Sequence, residues 1–570
     1  MKKHRLFAAS LFAFLLLFSL SCSEEFLETE NKNQLTEDNF YQTERDFWMA
    51  LNSLYTPLAD GGMFGLQWQF LFRSFEDRAL FETTGLDILA ISASHNSPRL
   101  MWRALYMGLY RTNVFIEKIN ERPDVEGMTP ALRNNYLAQA RALRAAYLYY
   151  LVTVFNEPIF YDDTSIPKDL IVNLTNGNPE DFWNLLEEDF LFGITNDFLP
   201  VTYPPDDVGR VTKGMAQAML GKAMLYKHYH FYVRNGQKGS AANLQDLRLG
   251  RDMLQAVIQS GNYELIKPMA PKTRNDYINA FLCNFSFVDL PVGNNLYRSE
   301  NNKESIWEIQ YSDERIASGW LPGWQWSGAL NAAYFSAHAA SFKNQEAHPD
   351  LFMAFETEGA PDGFDRDPRA YGTLFFDGDS LDFRPESAYF GVRYRSGIHN
   401  KRIAAGRGLI SFPDPHPSRS FGIKKYNYPV YDDKDAPKND PINRRIIRFA
   451  DVLLMYAEAT YLLNESTADG LAALNRVRAR VDMPAIAALT KEAIMHERDV
   501  ELALEGWRWH DLIRWSFDPE WGIDWVQILG RQVGPNDFGS YFVVGKHEYL
   551  PIPIDEINKH EGNLRQNPGW

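Results

Sequence analysis

The stretch 497–515, ERDVELALEGWRWHDLIRW, constrains the fold of this 570-residue chain more than any other feature. Its apolar side chains cannot all share one narrow stripe of a helix, so the stretch predicts a single helix that neighbouring elements enclose on most sides. Glu497, Glu501 and Glu505 recur every four residues on one helix face, and arginines lie within reach of them. We therefore place this stretch in the interior of a large helical structure.

The three carboxylates allow two interpretations. Two carboxylates about 5–10 Å apart can act as acid and base on a glycosidic bond. Partly buried carboxylates interleaved with arginines more often form a structural ion network, and we favour that interpretation. In the same stretch, Gly506 predicts that the chain passes close to a neighbour. Trp507, Trp509 and Trp515 supply large apolar contacts.

The pattern of this stretch, E-R-x-x-E-[LF]-x-x-E-G-x-R-[WF]-x-D-L-x-R-W, resembles the C-terminal signature of the RagB/SusD family of outer-membrane nutrient-uptake lipoproteins. Other segments resemble the same family: ESIWEIQY at 304–311, PDGFDRDPR at 361–369, and the final 549–570. The resemblance covers essentially the whole chain after residue 22. It implies a mostly α-helical protein, with a tetratricopeptide-like helical scaffold and an irregular, loop-rich half that contains short strands.

The first residues have the pattern of a bacterial lipoprotein signal. Basic side chains at positions 2, 3 and 5 precede an apolar run over 6–18, and small residues lead to Cys22. Such a run is too short for a comfortable membrane span but is typical of a secretory signal. A cysteine directly after a small residue resembles a bacterial lipobox. We therefore predict that 1–21 is a lipoprotein signal peptide, that Cys22 is lipidated, and that the protein is anchored by lipid to the outer membrane and faces outward.

Charge and motif content exclude some classes of partner. A formal net charge of −16 leaves no excess of basic residues to neutralise phosphates, which argues against a nucleic-acid partner. If Cys22 is lipidated, Cys283 has no cysteine partner in this chain. The sequence has no zinc-ligand spacing, no phosphate-binding glycine loop and no G-x-S-x-G motif. We therefore predict a binding protein rather than an enzyme, with no cofactor and no metal.

We divide the chain after the signal into two regions, 22–262 and 263–570. In the first region, hydrophobic periodicity predicts a series of helices, placed near 36–58, 99–120, 131–155, 211–232 and 244–260. In the second region Gly, Pro, Asn and Asp multiply, and short β-like runs such as 305–311 appear. Helices resume at 448–459.

Two further helix starts are marked by capping residues. Asn178 followed by Pro179 has the pattern of a capping residue and a first helical position. Ser466 and Asp469 have the spacing of a capping box. Both patterns predict that a helix begins directly after them.

Aromatic residues make up 14% of the chain, and flat rings can stack on the apolar faces of sugars. A Gly- and Pro-rich loop at 318–328, SGWLPGWQWSG, favours exposed rings, although tryptophans there could instead fill the core of the irregular half. In the family, the ligand site lies between an early loop, here 64–96, and the loops after the ESIWEIQY strand. The resemblance, carried over by segment, implies nine ligand-binding candidates: Trp68, Arg73, Asp77, His95, Asn96, Tyr297, Trp320, Trp324 and Trp326.

The function that the resemblance implies is glycan capture at the cell surface. SusD-like members sit as a lid on a SusC-like TonB-dependent transporter, capture oligosaccharides or polysaccharide and deliver them to the barrel. A basic segment that ends in Lys424 and Lys425 is then a solvated loop or a surface that faces this transporter. Three alternatives stay open: a SusD-like protein for peptides or another nutrient, a glycoside hydrolase that uses the carboxylates of 497–505, and a structural docking protein.

Overall fold

The computed structural model describes residues 40–80, 86, 89–162, 173–270, 272–311, 346–376, 378–380, 383–385, 395–396, 411–412, 421–428, 441–532 and 538–570. These residues form a mostly helical protein with a few short strands, which confirms the predicted fold class. Within these ranges, no helix is both long enough and apolar enough to cross a membrane.

The helices are α1 Glu44–Ala59, α2 Gln67–Phe75, α3 Asn96–Glu121, α4 Pro130–Phe155, α5 Pro179–Thr195, α6 Lys213–Lys227, α7 Ala241–Gln259, α8 Arg274–Leu282, α9 Pro349–Ala354, α10 Arg369–Thr373, α11 Phe449–Leu463, α12 Thr467–Ala479, α13 Lys491–Glu501, α14 Arg508–Ser516, α15 Trp525–Leu529 and α16 Ile554–Lys559. A π-helical turn, His228–Val233, extends α6. The five helices predicted for the first region are all present, with ends that differ by a few residues.

Capping residues decide where two of these helices begin. We predicted a first helix from about residue 36, but α1 begins at Glu44, because Thr43 and Asp46 form a capping box. The Thr43 backbone N donates to Asp46 Oδ2 at 2.8 Å. The predicted start at Pro179 is confirmed, since Glu180 N donates to the Asn178 side chain at 3.2 Å.

The capping box predicted at Ser466 is wrong. Helix α12 does begin at Thr467, but Ser466 has a left-handed backbone with φ 53° and makes no side-chain capping bond. A capping side chain reaches the first turn from an extended backbone, and the left-handed conformation points it elsewhere. The backbone N of Asp469 donates instead to the Ser466 carbonyl oxygen at 3.0 Å.

The helical scaffold is built by neighbours in sequence: each helix from α3 to α7 packs on the next, α7 packs on α11, and α11 on α12. Polar contacts tie these layers together. Arg141 and Arg144 of α4 both pair with the fully buried Asp189 of α5, at 2.6 and 2.7 Å. The Tyr147 hydroxyl donates to the Leu54 carbonyl at 2.6 Å and so joins α4 to α1.

The irregular half contains short strand pairs, as predicted. The strands are β1 Ala79–Leu80, β2 Leu290–Val292, β3 Asn295–Tyr297, β4 Ser305–Ile309, β5 Glu346–Ala347, β6 Leu374–Phe375, β7 Arg395–Ser396, β8 Ser411–Phe412, β9 Gly422–Ile423, β10 Arg444–Arg448, β11 Gly530–Gln532 and β12 Phe538–Ser540. They pair two by two, and β4 with β10 is antiparallel, with Arg444 opposite Ile309. This pair leads from the scaffold into the segment that carries Trp320.

The stretch 497–515 is not the single helix that its periodicity predicts. Helix α13 ends at Glu501 and α14 begins at Arg508, with Leu504 at φ 61° between them. A continuous helix would use the Glu501 and Ala503 carbonyls in its own hydrogen bonds. Here the buried Lys425 ammonium takes both carbonyls, at 2.9 and 3.0 Å, and this cation stabilises the break.

The close passage predicted at Gly506 is confirmed. This residue has φ +81°, and a Cβ atom there would lie 3.2 Å from the Trp68 ring. Trp507, Trp509 and Trp515 are all buried, as predicted for the aromatic end of the stretch. The turn between α13 and α14 is thus packed directly against α2.

Candidate functional site

The three carboxylates of the signature stretch belong to a buried ion network. Glu501 lies 3.0 Å from Arg369 Nη1 and also pairs with Arg448 and Arg480. The remaining two carboxylates have buried partners of their own: Arg369 and Arg478 for Glu497, and Arg448 and Lys425 for Glu505. All of these carboxylates are buried, which confirms the structural interpretation over a catalytic pair.

The electrostatics of this network also oppose acid catalysis. Burial alone would raise the pKa of Glu501, but Arg480, Arg448 and Arg369 outweigh burial and hold that pKa far below its ordinary value. The pKa of Glu505 is lowered in the same way. A glycosidase needs one carboxylic acid that keeps its proton. These two groups are ionised instead, and they serve as counter-ions inside the fold.

Two of the ligand-binding candidates in the early segment are core residues. The segment predicted as a loop contains helix α2, which packs on α14. The Trp68 ring is 1% exposed, stacked at 4.7 Å on His510 and in contact with Trp507. Arg73 is fully buried and donates to Gln69 Oε1 at 3.0 Å. Neither side chain has a face left for a ligand, so both assignments are corrected.

A third candidate, Asp77, holds the fold together at the end of α2. Its carboxylate accepts from Arg508 Nε at 3.0 Å and Nη2 at 3.1 Å, with little exposure to solvent. A bidentate pair of this kind fixes both side chains. Asp77 therefore links the early segment to α14, and this pairing uses the oxygens that a ligand would need.

Three candidates are at least partly accessible. His95 caps α3, with its Nδ1 accepting from Ser97 N at 3.2 Å. Asn96 is exposed and accepts from Arg99 at 2.6 Å. Tyr297, on β3, packs in a separate cluster with its hydroxyl 2.9 Å from Met269 Sδ. Their part in ligand binding stays a prediction.

Trp320, Trp324 and Trp326 lie in 312–345, outside the described residues. The flanks of that segment are well defined. On one side, the Tyr311 hydroxyl donates to the Ala59 carbonyl at 3.1 Å, at the end of α1. On the other side, β5 pairs with β1 so that Ala347 lies opposite Ala79. One flank is therefore held at the end of α1, just before the early loop 64–96, and the other is paired with β1 inside that loop.

A cleft of ≈ 300 Å³ opens beside the first of these flanks. We call it the α1 cleft; it lies between α1, the loop 206–210 and residues 308–310 at the end of β4. Gly209 has φ +93°, and a Cβ atom there would lie 2.6 Å from Gln310 Cγ, so the loop can approach β4 only with glycine at this position.

The α1 cleft combines an exposed ring with oriented polar groups. The Trp48 indole is 41% exposed, and the Arg210 guanidinium lies 6.0 Å from its centre. Arg210 donates through Nε to Asp207 at 2.6 Å and through Nη2 to Asn52 at 2.9 Å. Its Nη1 has no hydrogen-bond partner among the residues described. Because Nη1 is closed to solvent, the polar group that the cleft offers beside its flat apolar face is the Asp207 carboxylate, which Arg210 holds in place.

The sequence prediction missed Trp48, Asn52 and Arg210. A usable signal was present in α1, where Trp48, Asn52 and Thr56 recur every four residues and define one face of the helix. A large ring among polar neighbours on such a face indicates exposure. The partner loop could not be found in this way, because 206–210 reaches the cleft only through tertiary packing.

Comparisons with known proteins identify the family and the fold. Residues 303–570 match the model of the SusD family. A SusD-like protein of Bacteroides ovatus is 23% identical, with 95% of this chain and 91% of the relative covered. SusD-like protein P25 of Formosa agariphila is also 23% identical, with 95% of both chains covered.

Solved structures show the same architecture. A laminarin binding SusD-like protein superposes with a TM-score of 0.65 at 23% identity, over 93% of this chain and 100% of that one. A SusD homolog from Bacteroides thetaiotaomicron gives 0.69 at 20% identity, over 94% and 99%. These likenesses establish the helical, tetratricopeptide-like fold. The match of residues 303–570 to the SusD family model, with SusD-like relatives that align over nearly the whole chain, shows that this chain belongs to the SusD/RagB family.

Proposed function

We propose that the protein is a cell-surface, glycan-binding lipoprotein that captures oligosaccharides and delivers them to a SusC-like TonB-dependent transporter. Family membership supports this role, because relatives of the same fold include a laminarin binding SusD-like protein and a surface glycan-binding protein A from Bacteroides thetaiotaomicron. The signature carboxylates are closed to substrates by their ion pairs, which favours binding over hydrolysis.

The observation that carries the proposal is the α1 cleft. A sugar ring can stack its apolar face on the exposed Trp48 indole, while a hydroxyl donates a hydrogen bond to the Asp207 carboxylate, whose side chain is 37% exposed. Arg210 Nε holds this carboxylate at 2.6 Å, so little side-chain entropy is lost when the ligand binds. The cleft lies next to the flank at Tyr311, where the segment with Trp320, Trp324 and Trp326 begins.

We propose that this segment extends the cleft into a longer sugar platform. The residue before this segment contacts the end of α1, the helix that also carries Trp48, and the strand after it pairs with β1. Lipid at Cys22 would keep the domain on the outer membrane. Release into the transporter would follow movement of the protein as a lid over the barrel.

The test is a binding screen of the chain from residue 23 onward. The panel contains neutral and acidic polysaccharides, their oligosaccharides, and a set of short peptides, measured by affinity electrophoresis and calorimetry. Trp48→Ala and Trp324→Ala are compared with Met49→Ala, since Met49 is also exposed on α1 but does not line the cleft. We expect one glycan class to bind, and Trp48→Ala to weaken binding about 10-fold while Met49→Ala changes little.

Other outcomes would point to a different function. If peptides bind and no glycan binds, the ligand of the protein is a peptide rather than a sugar. Glycan binding that Trp48→Ala leaves unchanged would remove the α1 cleft from the site. Appearance of shorter oligosaccharides during incubation would indicate a hydrolase and contradict the ion-network interpretation.

A further inference from the structure

A second, larger cavity lies between α3, the residues after α4 and α16. Its volume is ≈ 930 Å³, within the range of sites that hold small organic ligands. Its lining includes residues of α3 such as Trp102 and Tyr110, Tyr161 from the connection after α4, and His560 directly after α16. None of these residues lines the α1 cleft, so the two cavities are separate sites.

One wall of this α3–α16 cavity is aromatic and rigid. Tyr106 stacks with Tyr161 at a centroid distance of 6.0 Å and an interplanar angle of 18°, and it contacts Trp102 at 4.6 Å. The Tyr106 hydroxyl donates to the Ile159 carbonyl at 2.7 Å, which fixes its ring. A preformed wall of this kind loses little entropy when a flat ligand binds.

Tyr110 extends that wall into solvent. It lies one helical turn after Tyr106 on the same face of α3 and is 50% exposed. A half-exposed tyrosine beside a row of ordered rings offers one free π face. Sugars use such faces through their axial C–H groups, and the phenol hydroxyl can accept or donate at the edge.

His560 is a further residue of the lining. The residue is 4% exposed, and its Nδ1 donates to the Glu556 carbonyl oxygen at 2.7 Å. In a neutral imidazole this tautomer leaves Nε2 as an acceptor. Within the described ranges, Nε2 has no hydrogen-bond partner. This atom is closed to solvent, so His560 contributes its ring surface to the lining rather than an acceptor that a ligand reaches.

The lining of the α3–α16 cavity carries a small net positive charge. Glu556 and Lys559 pair with each other at 2.6 Å. Arg99, Arg103 and Asp555 are exposed in the lining, and Arg99 donates to the uncharged Asn96 amide oxygen at 2.6 Å. Two cations therefore stand against one anion, which admits neutral and acidic sugars alike.

From the cavity, its ordered aromatic wall and the half-exposed Tyr110 that extends this wall, we infer that the α3–α16 cavity is a second saccharide site. The inference rests on the proposed function for the class of ligand. The inference adds a second binding site, so that one chain can bind a long glycan at two places or bind two short glycans. Two linked contacts raise the overall affinity for a polymer above that of either site.

The experiment uses the chain from residue 23 onward and calorimetry with laminari-, cello-, xylo- and manno-oligosaccharides, with oligogalacturonate as the acidic comparison. The variants are Tyr110→Ala, Tyr110→Phe, Trp48→Ala and the double alanine variant, each checked for its fold by circular dichroism. We expect two oligosaccharides per wild-type chain and one per chain in Tyr110→Ala. Tyr110→Phe keeps the ring and should retain both. Affinity for the polymer should fall about 10-fold in each single variant and further in the double variant.

The outcomes separate this inference from the proposed function. If one oligosaccharide binds per wild-type chain and only Trp48→Ala abolishes this binding, the second site is overturned and the proposed function stays intact. Binding of none of these saccharides by the wild-type chain would overturn both. Binding of oligogalacturonate that is lost in Tyr110→Ala would equally support the second site and would show that it takes an acidic sugar.

Discussion

The Lys425 ammonium lies 2.9 Å from Glu505 Oε1, although the two residues come from elements 80 positions apart and both are buried. The same ammonium donates to the carbonyls of Glu501 and Ala503. Burial lowers the pKa of Lys425 to about 8, while Glu505 and Glu501 oppose that effect. One side chain therefore neutralises a carboxylate and stabilises the break between α13 and α14.

The ion network predicts a stability cost for Glu501→Gln. This change leaves Arg369, Arg448 and Arg480 with an uncompensated buried charge, so we expect the free energy of unfolding to fall by about 3–5 kcal/mol. Urea denaturation followed by tryptophan fluorescence measures it. Glu492→Gln is the matched control, because Glu492 lies on the same helix with its side chain 70% exposed. Equal stability of the two variants would contradict the network.

The turn between α13 and α14 predicts a different cost for two glycine substitutions. Gly506 and Gly545 have similar left-handed backbones, at φ +81° and +85°, but only Gly506 faces the Trp68 ring at 3.2 Å. Both alanine substitutions place a Cβ atom on a left-handed backbone, which lowers the free energy of unfolding by about 1–2 kcal/mol. Gly506→Ala should lose about 1–3 kcal/mol more, because the added methyl overpacks the core. Thermal unfolding of the pair measures the difference, and identical melting temperatures would exclude the packing contribution.

Glu76 predicts a dependence of stability on pH. Burial raises the pKa of Glu76 from 4.5 to about 8, with Arg73 and Arg508 opposing this shift and Asp77 and Asp499 adding to it. The folded state thus keeps a proton that the unfolded state has released. The resulting stability is fully present below about pH 4.5 and is lost as the pH rises through about 8, by at most about 1.4 kcal/mol per pH unit.

Glu76→Gln tests this sign, since the amide imitates the protonated acid at every pH. We expect the variant to be as stable as the wild-type protein near pH 5 and more stable at pH 8.5. Denaturation curves collected at half-unit steps measure the difference between the two proteins. A difference in stability between the two proteins that stays constant from pH 5 to pH 8.5 would show that Glu76 is ionised in the folded state over this interval.

Local patterns predicted the helices well, because periodicity and capping act over a few residues. Helix α5 begins at Pro179 as its capping Asn178 predicts. The break after Glu501 was not predictable, since it depends on Lys425, which is remote in sequence and which we placed on a solvated loop or a transporter-facing surface. Its neighbour Lys424 is also buried, with its Nζ 2.7 Å from Asp379. The sequence of a loop-rich segment does not indicate whether its basic residues pair with buried carboxylates in the folded protein.

The candidate site was predicted by segment and only partly by residue. Aromatic and charged side chains of the early segment indicated a binding loop, but α2 forms there and buries Trp68 and Arg73 against α14. A sequence rule that counts aromatics cannot separate these rings from the exposed Trp48, because exposure depends on which helices pack on the ring. The family resemblance implied a ligand site between the early loop and the loops after the ESIWEIQY strand, but not the pairing of Ala79 with Ala347.

The two points at which 312–345 is attached have an evolutionary consequence. The Tyr311 hydroxyl meets a backbone carbonyl at Ala59, and Ala347 pairs with Ala79 through the strand backbones, so of these four residues only Tyr311 is needed for its side chain. The attachment of the segment therefore sets few requirements on sequence at its two ends. On the proposed function, a lineage that meets a new polysaccharide could exchange residues between these ends without having to rediscover a stable fold.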